Sequence, residues 1–439
     1  MLMSKPAKAA NVTNTSAPAR VPALRFPEFR NAGEWKKDYL SQLAKPVTQR
    51  AEEGEDINVL TLSAEHGLIS QGQYFGRKIA GDKTERYIVI SENDFVYNDR
   101  TTKQSEFGTI KRLSGIKSGI VSPIYKCFRF NDDETPIFWE HYFDSLSHNP
   151  ELRGLVNEGA RDGRFNISIS KFLSTQAYFP SPPEQQKIAD CLSSLDELIV
   201  AEASKVEALK AHKKGLMQLL FPAEGQTIPA LRFPEFRNAG EWKLGVLDTL
   251  LVSVSNGLSL PQSSSSSKYM LTRIETISDC SINIDRVGYV DTDVNISDYK
   301  LYVGDILFSN INSVAHIGKS VRVDRDYDLY HGMNLLRLVV ASHSDDKFVY
   351  YLLNTDFIRD SFRLRANKAV NQASINQTEI RKTQVTYPSS KIEQQKIADC
   401  LSSLDELIAA QASKVEALKA HKKGLMQQLF PSPVDEAGQ

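Results

Sequence analysis

The sequence predicts an α+β fold in which two mixed α/β domains are separated by two long helices. These helices form an intramolecular antiparallel coiled coil within a pseudo-twofold tandem repeat. Residues 22–36 recur letter for letter at 229–243, and residues 186–218 recur at 395–427 with only two changes. Between these repeated frames lie two inserts of similar length and almost no common sequence. The chain of 439 residues also exceeds the size at which one hydrophobic core keeps growing, so two domains are expected.

The repeats set the predicted order of segments along the chain. The inserts, residues 37–185 and 244–394, each follow a copy of the shorter repeat and lead into a copy of the longer one. The predicted segments are a disordered tail at 1–21, a first insert domain at 22–183, a first conserved helix at 184–222, a second insert domain at 229–392, a second conserved helix at 393–431 and a tail at 432–439.

The composition is typical of a globular protein, with 41% apolar and 24% charged residues. No stretch approaches the roughly 18 consecutive apolar residues of a membrane span. The opening residues lack the apolar region of a secretion signal and are rich in Ala, Pro, Ser and Thr, which predicts a disordered tail and a cytoplasmic location. The four cysteines include no C-x-x-C pair, so neither a disulfide framework nor a metal site is predicted.

One long helix is predicted from Glu184 to Phe221, because this stretch contains one glycine and no proline and is bounded by prolines. Its apolar residues follow a heptad pattern, which Glu202 and Lys213 interrupt. The second copy repeats the pattern, so the two helices are expected to pair, and a pseudo-twofold relation favours antiparallel packing. The predicted seam comprises Leu192, Leu195, Ile199, Val206, Leu209 and Leu216 in the first helix and Leu401, Leu404, Ile408, Val415, Leu418 and Leu425 in the second.

The inserts are predicted to share one plan despite their unlike sequences. A turn followed by a short apolar strand is predicted at Asn93–Asn98 and again at Gly304–Asn310. Further strands are predicted in both inserts, and the spacing of aromatic and aliphatic residues predicts helices at Pro136–Leu146 and Asp346–Asn354, each followed by a second short helix.

Basic and amide side chains within the inserts predict contacts with DNA on a chain of net charge −1. Residues 100–130 hold seven basic residues against one acidic residue, and residues 356–382 hold six against three. Asn and Gln can bind adenine edges and Arg or Lys can bind guanine edges. The candidate DNA-binding residues are Gln71, Gln73, Tyr74, Arg77, Lys78, Asn98, Arg100, Lys103, Lys111, Arg112, Lys117, Asn310, Asn312, Lys319, Arg363, Arg365, Lys368, Asn371 and Gln372.

Sequence motifs of catalysis are missing, which favours a binding protein. There is no glycine-rich phosphate loop, no G-x-G-x-x-G and no H-E-x-x-H. Two alternatives remain open at this point. One is a coiled-coil scaffold that bridges two protein partners without reading DNA, and the other is an enzyme, which no sequence motif supports.

With these features in place, the chain resembles the specificity subunit of type I restriction-modification enzymes. The likeness is carried by Pro182-Pro183-Glu184-Gln185-Gln186-Lys187-Ile188 before the first helix, by Glu393-Gln394-Gln395-Lys396-Ile397 before the second, by the Gly304–Phe308 strand and by the Leu-Arg-Phe-Pro-Glu-Phe segments. The second copy departs from the first, because Pro388-Ser389-Ser390-Lys391-Ile392 stands where the first has its proline pair.

The resemblance implies that each insert is a target-recognition domain that reads one half of a bipartite double-stranded DNA sequence. It also implies that the helices dock two modification (methyltransferase) subunits, that restriction/translocase subunits join the complex, and that no membrane is involved. In that family S-adenosylmethionine binds the modification subunit, and ATP and Mg²⁺ serve the restriction subunit. This chain would then bind no cofactor and carry no catalysis.

Overall fold

The computed structural model describes residues 21–52, 58–72, 84–101, 105–155, 165–278, 281–368 and 372–431. Residues 1–20 of the tail predicted at 1–21, and the whole tail predicted at 432–439, lie outside the described residues. The chain divides into two compact units: unit 1 contains the residues up to Glu202 together with those from Lys414 onward, and unit 2 contains Ala203–Ser413. Each unit therefore combines one insert domain with half of each long helix.

Unit 1 begins with a short 3-10 helix at Pro27–Phe29 and continues through a series of strands followed by short helices. Its elements are β1 (Lys36–Tyr39), α1 (Leu40–Leu43), β2 (Ala44–Pro46), β3 (Val59–Ser63), β4 (Gly67–Ser70), β5 (Ile88–Ser91), β6 (Phe95–Asn98), β7 (Thr109–Arg112), β8 (Ser118–Val121), β9 (Lys126–Phe130), α2 (Pro136–Asp144), α3 (Asn149–Leu155), α4 (Ile169–Leu173), β10 (Gln176–Phe179) and the first long helix, α5 (Pro182–Leu220).

Unit 2 repeats this plan. Its elements are β11 (Lys243–Val246), β12 (Leu251–Asn256), β13 (Tyr269–Leu271), β14 (Gly288–Val290), β15 (Ile306–Phe308), β16 (Ile311–Asn312), β17 (Ser320–Arg322), β18 (Leu329–Tyr330), β19 (Leu336–Val340), α6 (Asp346–Leu353), α7 (Asp356–Arg365), β20 (Asn367–Lys368), β21 (Ala373–Ser374), α8 (Gln377–Arg381), β22 (Gln384–Tyr387) and the second long helix, α9 (Lys391–Leu429), with 3-10 helices at Pro234–Phe236, Leu247–Leu250, Ile274–Ile277, Ile284–Arg286, Ser297–Tyr299 and Val314–His316.

The two insert domains share the topology of their four-stranded sheet, which confirms the shared plan, whereas the described residues of unit 2 form an additional three-stranded sheet. Unit 1 contains a four-stranded antiparallel sheet in the order β2-β9-β6-β7, and unit 2 contains its counterpart in the order β12-β19-β15-β17. A second sheet in each unit includes one parallel pair, β3 with β8 and β13 with β18. Apolar side chains beneath the four-stranded sheets and beside α2 and α6 form the two largest cores.

Each copy of the shorter repeat, residues 22–36 and 229–243, forms a segment that we call the strap. An arginine side chain that is almost fully buried holds each strap in place. Arg25 donates from Nε and Nη2 to the two carboxylate oxygens of Glu184, at 2.7 and 2.6 Å, and from Nη1 to the carbonyl of Gly33. In unit 2, Arg232 makes the equivalent pair of bonds to Glu393, at 2.7 and 2.9 Å. The strap also contributes Trp35, which is 4% exposed and packs in the core of unit 1, whereas Leu24 is 38% exposed.

The glutamine that follows each of these glutamates ties the long helix to the insert domain. The Oε1 of Gln185 accepts the backbone N–H of Thr135, which precedes α2, at 3.1 Å. The Oε1 of Gln394 accepts the backbone N–H of Asp345, which precedes α6, at 2.8 Å. The Glu-Gln pair of the sequence signature therefore joins strap, insert and helix at one point.

The long helices run antiparallel within unit 1. Lys422 contacts both carboxylate oxygens of Asp196, and Lys414 donates to Glu202 at 2.8 Å, so numbers rise along one helix as they fall along the other. Glu202 is 3% exposed, so a residue that interrupts the heptad pattern is buried as one half of a cross-helix ion pair.

Unit 2 contains the equivalent cross-helix contact. The ammonium group of Lys213 lies 2.5 and 2.7 Å from the carboxylate oxygens of Asp405, which also accepts a hydrogen bond from the Tyr351 hydroxyl. The predicted seam residues are all buried or half-buried, with Leu192 and Leu401 fully buried. The structure thus confirms the fold class. Among the described residues, no helix is long and apolar enough to cross a membrane.

Candidate nucleic-acid interface

A small three-stranded sheet in unit 2 brings predicted DNA-binding residues together from distant parts of the insert. Strand β21 lies between β16 and β20, and Ala373 is the register partner of both Asn312 and Lys368. Gln372 directly precedes Ala373 and is exposed. The backbone carbonyl of Asn310 accepts the N–H of Ile375 at 2.9 Å, which extends the pairing by one residue.

The loop that carries Asn310 and Asn312 is closed by its own backbone. Ser309 and Lys319 are joined by a 2.8 Å backbone hydrogen bond, and Gly318 donates to the carbonyl of Ser309 at 3.0 Å. Gly318 has a φ of +79°, and a Cβ atom there would come within 2.9 Å of the Phe362 ring, so the loop is pressed against α7. This closure holds the amide side chains at a fixed edge of unit 2.

The two asparagines of this loop differ in how their side chains are used. Asn312 donates to the Ser309 hydroxyl at 3.2 Å and accepts the N–H of Ser313 at 2.8 Å, so its orientation is set locally. The Oδ1 of Asn310 is buried and accepts no hydrogen bond from the described residues. A buried amide oxygen without a donor is an unusual and costly arrangement, which marks Asn310 as a position that a bound molecule could satisfy.

The basic side chains of this region are of two kinds: some are hydrogen-bonded within the protein, and others form no ion pair with the described residues and are available to a ligand. Arg365 donates to the carbonyls of Ser361 and Glu379 and to the Thr383 hydroxyl, so it holds α7 against α8. Lys319 and Lys368 make no ion pair with the described residues, and Lys368 is exposed. These two lysines are therefore the available cations beside the small sheet.

Arg363 lies between these two groups. It pairs with Asp360 at 2.7 Å and donates to the carbonyl of Ala315 at 3.3 Å, which joins α7 to the loop. Its neighbour one turn earlier, Arg359, forms no side-chain hydrogen bond or ion pair with the described residues. Sequence reasoning counted Arg359 in the basic run but missed it as a candidate, although its i, i+4 spacing from Arg363 was a usable signal.

The first insert carries fewer available cations than its sequence suggests. Lys111 pairs with Asp144 and Arg112 with Glu140, at 2.8 and 2.7 Å, so both are neutralised by carboxylates on α2. Arg100 and Lys117 are exposed and form no ion pair with the described residues.

Two more basic residues of the same run are also neutralised. Arg129 on β9 pairs with the buried Asp94 at 2.5 Å, and this contact raises the pKa of the Arg129 guanidinium. Lys126 pairs with the buried Asp99 at 2.8 Å. The local positive charge read from residues 100–130 is therefore largely cancelled in the fold.

The strands that end at the candidate interface are β6 in unit 1 and β15 in unit 2. Each is preceded by a residue with left-handed backbone and an ion-paired aspartate. Asn93 and Gly304 adopt left-handed φ values of +73° and +98°, and the aspartate after each pairs with an arginine on the neighbouring strand. In unit 2 this aspartate is Asp305, whose pKa is raised by burial, a shift that its partner Arg337 opposes.

In unit 1 the strand ends at Asn98, which is the register partner of Thr109. The Asn98 Oδ1 is buried and accepts no hydrogen bond from the described residues. Gln71 is half-buried at the end of a described segment. The remaining candidates lie outside the described residues: Gln73, Tyr74, Arg77, Lys78, Lys103 and Asn371.

Acidic, histidine and cysteine side chains in the described part of the chain form no cluster of three or more that could hold a metal ion. The side chains of His141 and His331 are instead buried. Burial lowers the pKa of His141 to about 4, with Lys422 adding to the effect, and lowers the pKa of His331 to about 4. Both imidazoles are therefore neutral core groups at pH 7.

Residues 259–420 match the family model of the type I restriction modification DNA specificity domain. A Methanocaldococcus jannaschii protein named as the type I restriction enzyme MjaX specificity subunit is 40% identical over 200 residues, which cover 45% of this chain. The alignment spans 47% of that relative, about half its length. The type I restriction enzyme MjaVIII specificity subunit of the same organism is 24% identical over 363 residues, covering 80% of this chain and 81% of the relative.

Two solved structures share the fold. The type I restriction-modification S subunit from M. genitalium has a TM-score of 0.54 and 14% identity, covering 94% of this chain and 99% of that chain. A chain from a study of complex assembly and conformational transition in a type I R-M system has a TM-score of 0.54 and 17% identity, covering 91% and 98%. Residues 259–420 therefore match the type I restriction modification DNA specificity domain, and the chain as a whole has a fold similar to those of the two solved chains.

Proposed function

We propose that this chain is the sequence-reading subunit of a type I restriction-modification complex, in which each insert domain binds one half of a bipartite DNA target. The observation that carries the proposal is that the two insert domains share the topology of their four-stranded sheet although their sequences are unlike. The frames that hold the inserts are nearly identical, so the difference between the halves is confined to the parts that would face DNA. The chain itself carries no catalysis, and S-adenosylmethionine, ATP and Mg²⁺ belong to partner subunits.

The number of modification subunits follows from the duplication. The long helices differ at only two positions of the repeated 33 residues, and each presents an equivalent exposed leucine, Leu198 at 41% and Leu407 at 49%. Because the DNA halves would differ, a surface that is kept identical in both frames suits a partner common to both. We infer two modification subunits, one for each copy, with restriction subunits joining the same complex.

The decisive experiment exchanges residues 37–185 for the insert of another specificity subunit. The hybrid is assembled with its modification subunit, and the methylated sequence is determined by sequencing methylated host DNA. The expected result is that one half of the bipartite target changes and the other half is retained. A hybrid that altered both halves, or neither, would contradict the modular reading.

Point substitutions in unit 2 separate base reading from phosphate contact. Lys368→Ala should weaken binding to every duplex about equally and lower the slope of log K against log salt by about one. Gln372→Ala should instead relax the preference at a base pair, by about 1–3 kcal/mol. Lys300→Ala removes a surface lysine that pairs with Asp328 and serves as the control, with no change in either measurement.

A further inference from the structure

A cleft of about 550 Å³ lies at the start of strand β15, at the other end of that strand from Asn310. It is lined by the turn before β15, by parts of β17 and β19 and by the residues around the N-terminus of α6. Its position beside α6 also places it near the start of the second long helix, because Lys391 donates to the carbonyl of the lining residue Ser342 at 2.6 Å. The cleft is therefore separate from the small sheet and its amide side chains.

The floor of the cleft contains hydrogen-bond donors that the protein leaves unused. Arg337 pairs with Asp305 at 2.8 Å, but its Nε is buried and makes no hydrogen bond to the described residues. The hydroxyl of Ser344, a residue only 4% exposed, is also without a partner in the described part of the chain. Both groups can donate, so an acceptor would satisfy them. That acceptor is best uncharged, because Asp305 already pairs with Arg337, and Asp346, which also lines the cleft, pairs with Arg322.

The rim of the cleft is apolar and open to solvent. Tyr302 is 58% exposed and Val303 is 55% exposed, and the Arg337 guanidinium lies 5.7 Å from the centre of the Tyr302 ring. Adjacent exposed apolar side chains beside buried donors are typical of a docking site for a protein segment.

Unit 1 uses the equivalent positions differently. Ser91 is the counterpart of Tyr302, because the N–H of each donates at 2.7 Å to the aspartate three residues later. Unit 1 therefore has Ser91 and Glu92 where unit 2 has its apolar rim. Before α2, Glu134 accepts hydrogen bonds from Trp139 and Gln185, so the carboxylate at the position of Ser344 is satisfied within the protein.

We infer that this cleft binds an amide side chain of the modification subunit, with a neighbouring apolar residue of that subunit packed on Tyr302 and Val303. The amide oxygen supplies the acceptor that Arg337 and Ser344 lack without adding a negative charge beside Asp305 and Asp346, and the apolar neighbour covers the rim. The rim favours a protein segment over a DNA phosphate, which would bring no apolar group to it. The inference rests on the proposed function, and it makes the modification subunit at unit 2 the more tightly held of the two.

The test transfers the unit 1 residues to unit 2, as Tyr302→Ser with Val303→Glu in the full chain. Binding of the modification subunit is measured by titration calorimetry, and the number bound by light scattering. We expect the affinity of one of the two subunits to fall by about tenfold or more, since an apolar rim is lost and a charged side chain is placed where the apolar neighbour packs. Ser344→Ala, which keeps the rim, should weaken the same step by a smaller factor.

The matched control is Val294→Glu, because Val294 is also exposed, at 64%, and does not line the cleft. It should leave both binding steps and the unfolding temperature unchanged. Equal affinity of the Tyr302/Val303 variant and the wild type would overturn the inference and leave the proposed function standing. A variant that lost DNA affinity while binding the modification subunit normally would assign the cleft to nucleic acid instead. A wild-type chain that bound no modification subunit would overturn the inference and the proposed partner together.

Discussion

The ammonium group of Lys422 lies 2.6 Å from each carboxylate oxygen of Asp196, across the antiparallel helices of unit 1. Lys422 is the counterpart of Lys213, which interrupts the heptad pattern. The lysine side chain is only 16% exposed, so its charge depends on this partner. Each such paired charge within a mainly apolar seam fixes the register of the helices, because any shift would bury the lysine without its carboxylate.

Charge reversal tests this role. Lys422→Glu should lower the free energy of unfolding by about 1–3 kcal/mol, because two carboxylates would then meet in a partly buried site. Adding Asp196→Lys should recover most of the loss. Lys419→Gln breaks the exposed pair with Glu416 on the same helix and should change stability by less than about 0.5 kcal/mol. Denaturant titration of all four proteins measures the effect, and failure of the double variant to recover would contradict a direct pair.

The attachment of the N-terminal strap, residues 22–36, should depend on the buried ion pair between Arg25 and Glu184. Glu184→Ala leaves Arg25 buried without its carboxylate and should cost about 3–5 kcal/mol. Glu28→Ala removes the exposed partner of Lys187 in the same strap and should cost less than about 1 kcal/mol. Thermal unfolding of both variants compares them, and equal losses would show that burial is not what makes the Arg25 pair important.

A chain truncated after the first half should form a symmetric homodimer. In unit 1, residues from Lys414 onward supply Lys422 and Phe430, and the first helix carries the same residue types as Lys213 and Phe221. A second copy of residues 22–228 could therefore replace the C-terminal part of unit 1. Sedimentation equilibrium should give a dimer, and Lys213→Glu should weaken it. A folded monomer would show that the two helix copies are not interchangeable.

Acid should destabilise the protein through buried histidines. Burial lowers the pKa of His148 to about 3, and its Nδ1 has no hydrogen-bond partner in the described part of the chain. Because the folded pKa lies below the ordinary value of 6.5, the unfolded chain binds the proton first. The contribution of His148 to stability is thus complete above pH 6.5 and is lost progressively as the pH falls towards 3.

His148→Leu isolates this contribution. Between pH 6 and pH 4 the slope of unfolding free energy against pH should fall by up to about 1.4 kcal/mol per pH unit relative to the wild type. Denaturant titrations at several pH values in this interval measure the slope. An unchanged slope would mean that His148 is protonated equally in the folded and unfolded states.

The helices could be predicted from the sequence because their information is local. Heptad spacing and flanking prolines lie within forty residues, and the structure places both long helices within two residues of the predicted bounds. The duplication also indicated the pairing partner, because a helix with an apolar seam that occurs twice in one chain can pack against its own second copy.

The candidate site could be predicted only in part, because charge pairing and strand register are long-range. The partners of Lys111 and Arg112 lie 33 and 28 residues away on α2, so the basic run looked more positive than it is. The meeting of Asn312 with Lys368 depends on a third strand between them, which no local spacing reveals.

The division of the chain into units imposes an order on its synthesis. Unit 2 is continuous in sequence and is complete once Ser413 has emerged, whereas the core of unit 1 includes Leu429 and Phe430, and the strap residue Leu24 bonds to the carbonyl of Gln428. During synthesis the residues that complete unit 2 are therefore made before those that complete unit 1. The N-terminal part of unit 1, up to Glu202, lacks the side chains that close its core until the last turn of the second helix has been made.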